Sequence, residues 1–232
     1  MSIELLNMDC MEYMATLPDK AFDLAIVDPP YGIGASRPNG AQARAAIGYS
    51  SDTEKRWDSQ PPNKEYFNEL LRVSVNQIVW GANYFTAHLP PTMGWICWYK
   101  TASLKDRMHS EIEVAFSSFQ KAARQFECAP FIVDCKRIHP TQKPVKLYEW
   151  LLTNYAKPCQ CILDTHLGSG SSAIAAHNLG FDFVGMELDE DYYAAACKRF
   201  EQHKAQGSLF IPDTPQDAYE QTDMLYSAGH GA

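Results

Sequence analysis

An apolar run at residues 24–27, Leu-Ala-Ile-Val, stops at Asp28-Pro29-Pro30-Tyr31, and that junction constrains the fold more than any other stretch of the chain. A short, mostly apolar run closed by a proline pair reads as a buried parallel strand that delivers a carboxylate to its C-terminal end. In open α/β sheets, ligands bind outside that end of the strands. The two prolines fix φ and carry no N–H group, which leaves a stiff loop whose carbonyls face outward. A carboxylate, a carbonyl and a tyrosine ring on such a loop can hold a flat, amide-like group. Taken alone, the stretch also reads as a plain strand followed by a proline-rich turn.

The surrounding pattern extends this to an α/β architecture. Residues 3–8 read as a strand ending at Asp9 and residues 10–17 as a helix, so the first 31 residues form a β-α-β unit. A right-handed crossover makes its strands parallel and puts Asp9 on the same sheet edge as Asp28. Residues 32–63 are rich in Gly, Pro and Ser with little periodicity, as expected of a mobile lid or binding loop. Its Arg37, Arg44, Lys55, Arg56 and Trp57 suit a phosphate backbone. A helix is predicted over 64–75 and a buried strand over 77–80, closed by Gly81 and Asn83. Strands over 95–99 and 112–116 predict an antiparallel hairpin at the sheet edge. Residues 119–137 read as loop. The run His139-Pro140-Thr141-Gln142-Lys143-Pro144 leads into a helix over 144–156. A strand over 161–163 ends at Asp164, and a helix over 172–179, a strand over 181–186 ending at Glu187, and a helix over 191–202 complete the pattern. From residue 205 the tail is polar and acidic and is expected to be flexible.

The 232 residues suit one catalytic domain over 1–204, followed by that tail. No run approaches the roughly 18–20 apolar residues of a membrane span, and the N-terminus lacks the pattern of a signal peptide. A cytoplasmic protein is expected. Seven scattered cysteines without a C-x-x-C pair argue against a disulfide framework or a zinc cluster, and no metal site is expected. The net charge of −8 is awkward for a partner that is itself an anion. However, residues 100–146 hold nine basic and five acidic side chains, so one face of an acidic protein could be positive.

A second motif narrows the ligand. A strand ending at Asp164, then Gly168-Ser169-Gly170, a helix, and a strand ending at Glu187 form a glycine-rich nucleotide-type unit. The glycines let backbone approach a ligand at a helix N-terminus, and an acid 19 residues beyond Gly168 suits ribose hydroxyls. Ala173 stands where the third glycine of a dinucleotide fingerprint would be, which disfavours a pyrophosphate. An acid before the glycines suits a cationic amino-acid portion, such as that of S-adenosylmethionine.

Together, DPPY at 28–31, HPTQKP at 139–144, LDTHLGSGSS at 163–172 and GMELDEDYY at 185–193 resemble the amino-methyltransferases of DNA, in the permuted β-class order. The resemblance covers residues 3–203. It implies a Rossmann-like, S-adenosylmethionine-dependent methyltransferase fold with a mostly parallel seven-stranded sheet, the strands ending at Asp28 and Asp164 being neighbours. It implies that Asp28 and the Pro29 carbonyl accept hydrogen bonds from the target's exocyclic amine, in a loop stiffened by Pro30, and that Tyr31 stacks on the flipped base. Gly168, Ser169 and Gly170, with Asp164 before them, would cradle the methionine portion, Glu187 the ribose and Asp9 the adenine. Thr141 and Lys143 fall in the family's other cofactor motif. Asn83 is a candidate for the pocket wall. His166 stands where the family most often has Phe. The recognition region, 117–138, is short.

The implied substrate is double-stranded DNA and the implied reaction methylation of adenine N6, since cytosine-N4 members more often begin the catalytic motif with Ser. Cytosine N4 is the alternative. RNA or protein amide methyltransferases, which usually carry Asn in place of Asp28, and a silent DNA-binding relative stand further off. Relatives often pair, so a homodimer is expected. Gln206-Gly207-Ser208-Leu209-Phe210 resembles the peptide by which bacterial proteins dock on the replication sliding clamp, with Leu209 and Phe210 as anchors and Gln206 as hydrogen-bonding group. The alternative is an apolar end tucked onto its own domain.

Overall fold

Leu24 and Ile26 pack into one hydrophobic core while Ala25 and Val27 pack into another, so their strand is buried on both faces. Such a strand needs neighbours on both sides and helices above and below. In the computed structural model, which describes residues 1–33, 58–100, 110–129 and 138–206, it has both. The strands are β1 (Ile3–Asn7), β2 (Phe22–Val27), β3 (Ser74–Trp80), β4 (Ile96–Tyr99), β5 (Ile112–Ser117), β6 (Arg124–Glu127), β7 (Cys161–Asp164) and β8 (Asp182–Glu187). The helices are α1 (Cys10–Ala15), α2 (Lys64–Val73), α3 (Val145–Tyr155), α4 (Ser171–Asn178) and α5 (Glu190–Ala205).

The strands form one sheet in the order β1-β8-β7-β2-β3-β5-β4-β6. The first five are mutually parallel, and β5 runs antiparallel to both β3 and β4. The expected antiparallel pairing of these strands is therefore present, one strand in from the sheet edge. The strand count differs from the expected seven, because residues 124–127, read as loop, form β6 beside β4. An outermost strand needs little apolar surface. Here Phe126 alone packs inward, its ring 5.2 Å from that of Trp150, so no alternating pattern marks the element. The core on one face holds Trp80, Trp98, Leu151 of α3, Ile174 of α4 and Phe200 of α5. The core on the other holds Met14 of α1 and Phe67 and Leu70 of α2.

Capping sets the helix starts. The carboxylate of Asp9 accepts from the backbone of Met11 at 2.6 Å, and Asn63 and Asp189 cap α2 and α5 in the same way. At the other end of α2 the chain passes straight into β3. Ser74 is extended, with φ −122° and ψ 144°, and its hydroxyl donates to the carbonyl of Leu70 at 2.6 Å. Ser74 and Val75, expected in the helix, thus open the strand. Helix α5 runs to Ala205, beyond its expected end. Most of the 32–63 loop, residues 130–137 of the recognition region, and Leu209 and Phe210 of the clamp-like peptide lie outside the described residues. Among the described residues no helix is long and apolar enough to cross a membrane, and no group of three or more His, Cys, Asp or Glu side chains could hold a metal ion.

Candidate active site

The sheet order brings four acids to one edge. Leu24 pairs with Ile162 and Ala25 with Leu163, so Asp28 and Asp164 leave the sheet from adjacent strands. The next strand over delivers Glu187, and β1 delivers Asp9. Between them lies a cleft of about 450 Å³, within the usual range for a small-molecule site. Asp9, Asp28, Pro30 and Glu187 line it. So do Thr141 and Lys143 from the HPTQKP run, and His166, Gly168 and Ser169 from the glycine loop. Pro29, Tyr31, Asp164 and Gly170 are not among its lining residues, and Asn83 is exposed and also lies off the cleft.

The glycine loop is built by its own neighbours. Gly168 has φ +53°, and its N–H donates to Glu187 Oε2 at 2.9 Å. The other Glu187 oxygen accepts from the backbone of Asp189 at 3.0 Å, which fixes the carboxylate at the cleft wall. Gly170, at φ +73°, caps α4 and backs onto Ala196. Asp164 is buried behind the loop, where it accepts from the backbone of His166 at 3.0 Å and from the Ser172 hydroxyl at 2.6 Å. Burial pushes its carboxyl up to about 7. Asp164 thus clamps the loop to α4. Arg199 of α5 completes the support, donating to the Ser169 carbonyl at 2.7 Å and the Ser171 hydroxyl at 2.9 Å. Nothing in the helical pattern around Arg199 signals this.

His166 occupies the cleft wall as a neutral ring. Burial lowers it to about 4, well below the ordinary histidine value, so it carries no charge near pH 7. Its Nδ1 lies 2.9 Å from the Thr165 hydroxyl, which lies 2.7 Å from that of Tyr66. Tyr66 also meets the imidazole edge to face at 5.4 Å. Tyr66 is a cleft residue that the sequence places only in the apolar stripe of its helix. Thr141 sits 3.2 Å from His139 Nδ1, and the His139 ring packs on Tyr192.

Around Asp28 the structure shows a charged network. Tyr31 donates its hydroxyl to Asp28 Oδ1 at 2.6 Å, and Lys143 Nζ lies 2.5 Å from Oδ2. The same ammonium lies 3.1 Å from Glu113 Oε2 on β5 and 3.3 Å from the Tyr31 hydroxyl, while Lys100 pairs with the other oxygen of Glu113. Burial pushes the Asp28 carboxyl above the ordinary value, against the pull of Lys143. Burial opposes charge on Lys143 too, but Asp28 and Glu113 prevail and raise it. Glu113 is likewise penalised by burial, yet the two ammonium groups hold it low. Two of the nine basic residues in the 100–146 window are therefore neutralised inside the protein. The Tyr31 ring lies against Gly81, at φ +67°, and stacks on Tyr84 with centroids 5.1 Å apart. Tyr84, next to the expected Asn83, is 48% exposed beside the site.

A doubly wound sheet with a glycine loop facing a DPPY corner across one cleft defines a Rossmann-like methyltransferase. The profile of the N6/N4 DNA methylases matches residues 79–198, over half of the chain, and the chain belongs to that family of DNA methyltransferases. It is 28% identical to YubD of Escherichia coli (strain K12), a methylase by name, over 88% of this chain and 96% of that protein. Its fold is similar to that of TTHA0409 from Thermus thermophilus in complex with S-adenosyl-L-methionine, with a TM-score of 0.57, 18% identity, and coverage of 92% of this chain and 100% of that one. The cytosine-N4-specific PvuII DNA methyltransferase matches with a TM-score of 0.59 at 11% identity, covering 88% and 91% of the two chains.

Proposed function

We propose that the protein transfers a methyl group from S-adenosylmethionine to the exocyclic N6 of adenine in double-stranded DNA. The observation that carries this reading is the shared cleft, in which the Asp28 carboxylate and the Gly168 loop face one space although 140 positions separate them in the chain. The residues present fit the methyl donor. Asp9, Asp28 and Glu187 supply negative charge for a cationic ligand with ribose hydroxyls, and the left-handed Gly168 lets backbone approach it closely. In this reading Gly168, Ser169 and Gly170 form the cradle for the methionine portion, held by Asp164 from behind. Glu187 takes the ribose, Asp9 the adenine, and Thr141 and His166 the remaining wall. S-adenosylmethionine, when bound, supplies the electrophilic methyl.

An exocyclic amine is a poor nucleophile because its lone pair is delocalised into the ring. Asp28 and the Pro29 carbonyl would accept its two hydrogens and hold the nitrogen nearer tetrahedral, with the lone pair aimed across the cleft. Near-attack positioning of this kind is worth up to about 7–11 kcal/mol. The methylated nitrogen is acidic, so no strong base is needed. Unstacking the target costs a few kcal/mol, offset by stacking and hydrogen bonds in the pocket. Tyr31 takes the stacking role only by leaving its own stack on Tyr84. The homodimer implied by the resemblance and the cytoplasmic location expected from the sequence belong to the same reading.

Expression in a host lacking DNA methylation, followed by single-molecule sequencing, tests the assignment. Modified adenines in a fixed sequence context are expected. Modified cytosines would replace N6 by cytosine N4, and unmodified DNA from a host that contains the folded protein would overturn the reading.

A further inference from the structure

Lys143 lies in a run whose resemblance assigns it to the cofactor, yet its ammonium is committed elsewhere. An ammonium has three hydrogens to donate. Within 3.3 Å of Nζ stand three oxygens: Asp28 Oδ2, Glu113 Oε2 and the Tyr31 hydroxyl. The side chain is 3% exposed, and its charged end also lies over the rings of Trp80 and Tyr31, at 5.4 and 5.7 Å. Two of its hydrogens go to Asp28 and Tyr31, and the ammonium faces Glu113 as an ion pair, so its charge is committed within the protein. Its partners are the two members of the DPPY corner that the reaction uses and one acid, Glu113, which the reaction does not. Glu113 is held in turn by Lys100, so an alternating chain of Lys100, Glu113, Lys143 and Asp28 runs from the antiparallel pair of β4 and β5 into the cleft.

We infer that Lys143, anchored by Glu113, is a positioning residue that keeps the Asp28 carboxylate ionised and aimed at the target amine, and is not a ligand of the methyl donor. This rests on the reading of Asp28 as acceptor for that amine. A carboxylate has about four lone-pair sites. With Tyr31 on one oxygen and Lys143 on the other, Asp28 keeps room for an amine hydrogen while its orientation is fixed from two sides. Beyond Lys143 and Tyr31, the titratable groups among the described residues that act on Asp28 are Glu113 on β5, Tyr148 on α3, Tyr66 on α2 and Asp164 at the end of β7. Among the described residues that act on Asp28, Lys143 is the one cation.

The test compares Lys143→Met, Glu113→Gln and Asp28→Ala with the unaltered protein, measuring methyl transfer against pH and S-adenosylmethionine affinity by calorimetry. Losing the cation leaves burial and Glu113 acting on Asp28, so in Lys143→Met the acidic limb of the transfer profile should move to higher pH. Its kcat should fall by about 10²-fold, the usual cost of misplacing a reacting group by about 1 Å. Affinity for S-adenosylmethionine should stay within about twofold, since the ammonium is engaged by Asp28, Tyr31 and Glu113. In Glu113→Gln a negative charge near Asp28 is lost, so the limb should move the opposite way, to lower pH. That variant decides the matter should Lys143→Met fail to fold. A Lys143→Met protein that loses cofactor affinity but keeps kcat at saturation would overturn the inference, as would unmoved pH limbs in folded Lys143→Met or Glu113→Gln. Normal transfer by Asp28→Ala would instead remove the underlying reading of the site.

Discussion

Asp28→Ala is expected to abolish methyl transfer, by about 10³-fold or more, while S-adenosylmethionine still binds. The two effects separate because the carboxylate and the donor cradle come from different strands. Asp28 leaves β2, whereas Gly168 and Glu187 are fixed to each other by a 2.9 Å hydrogen bond beyond β7 and β8. Removing the carboxylate deletes the acceptor proposed for the amine, releases the Tyr31 hydroxyl, and leaves Lys143 with Glu113 as its one carboxylate among the described residues. The variant should therefore also lose stability, because breaking a buried ion pair strands the partner charge. Asp28→Asn keeps the shape and a weaker acceptor, and should lose transfer with less damage to the fold. Transfer of labelled methyl groups and calorimetry on the same preparations give both numbers. Substantial transfer by either variant would contradict the assigned role.

Gly81→Ala should be the most disruptive change of a single methyl group near the site. Gly81 has φ +67°, where an L side chain is strained, and a Cβ there would sit 2.1 Å from Tyr31 Cε1. No real contact is that short, so the Tyr31 ring must leave its place between Gly81 and Tyr84. Backbone strain and overpacking together should cost about 2–4 kcal/mol. Displacing Tyr31 also breaks its hydrogen bond to Asp28, so transfer should drop by about 10²-fold. Denaturant unfolding and transfer assays measure the two effects. Adding Tyr31→Ala to Gly81→Ala removes the clash and should restore part of the lost stability without restoring transfer. A Gly81→Ala protein of unchanged stability would show that the ring does not lie where the structure has it.

Features set by neighbours in the chain can be read from the sequence. The apolar run before Asp28 marks a buried strand, and Gly168-Ser169-Gly170 marks a loop at a helix start, because each depends on a few adjacent residues. The adjacency of β2 and β7 follows from the resemblance, not from any local pattern. Features set by contacts across the fold leave no such trace. Lys143 and Asp28 are 115 positions apart, and neither flank of Lys143 shows that it will meet a carboxylate. Arg199 looks like any surface cation on a helix until α5 packs beside the glycine loop. Asp164 reads as facing the ligand because strand-end acids commonly do, but Ser172 and the His166 backbone take both of its oxygens. Strand β6 escapes notice because one inward side chain, Phe126, makes no periodic signal.

The most direct measurement is a crystal structure of the protein bound to S-adenosyl-L-methionine. The amino-acid portion is expected against residues 168–170 and the ribose beside Glu187, with the sulfonium methyl directed toward Asp28 and Lys143 still seated between Asp28 and Glu113. A donor bound elsewhere, or one whose methyl points away from Asp28, would contradict the single shared cleft.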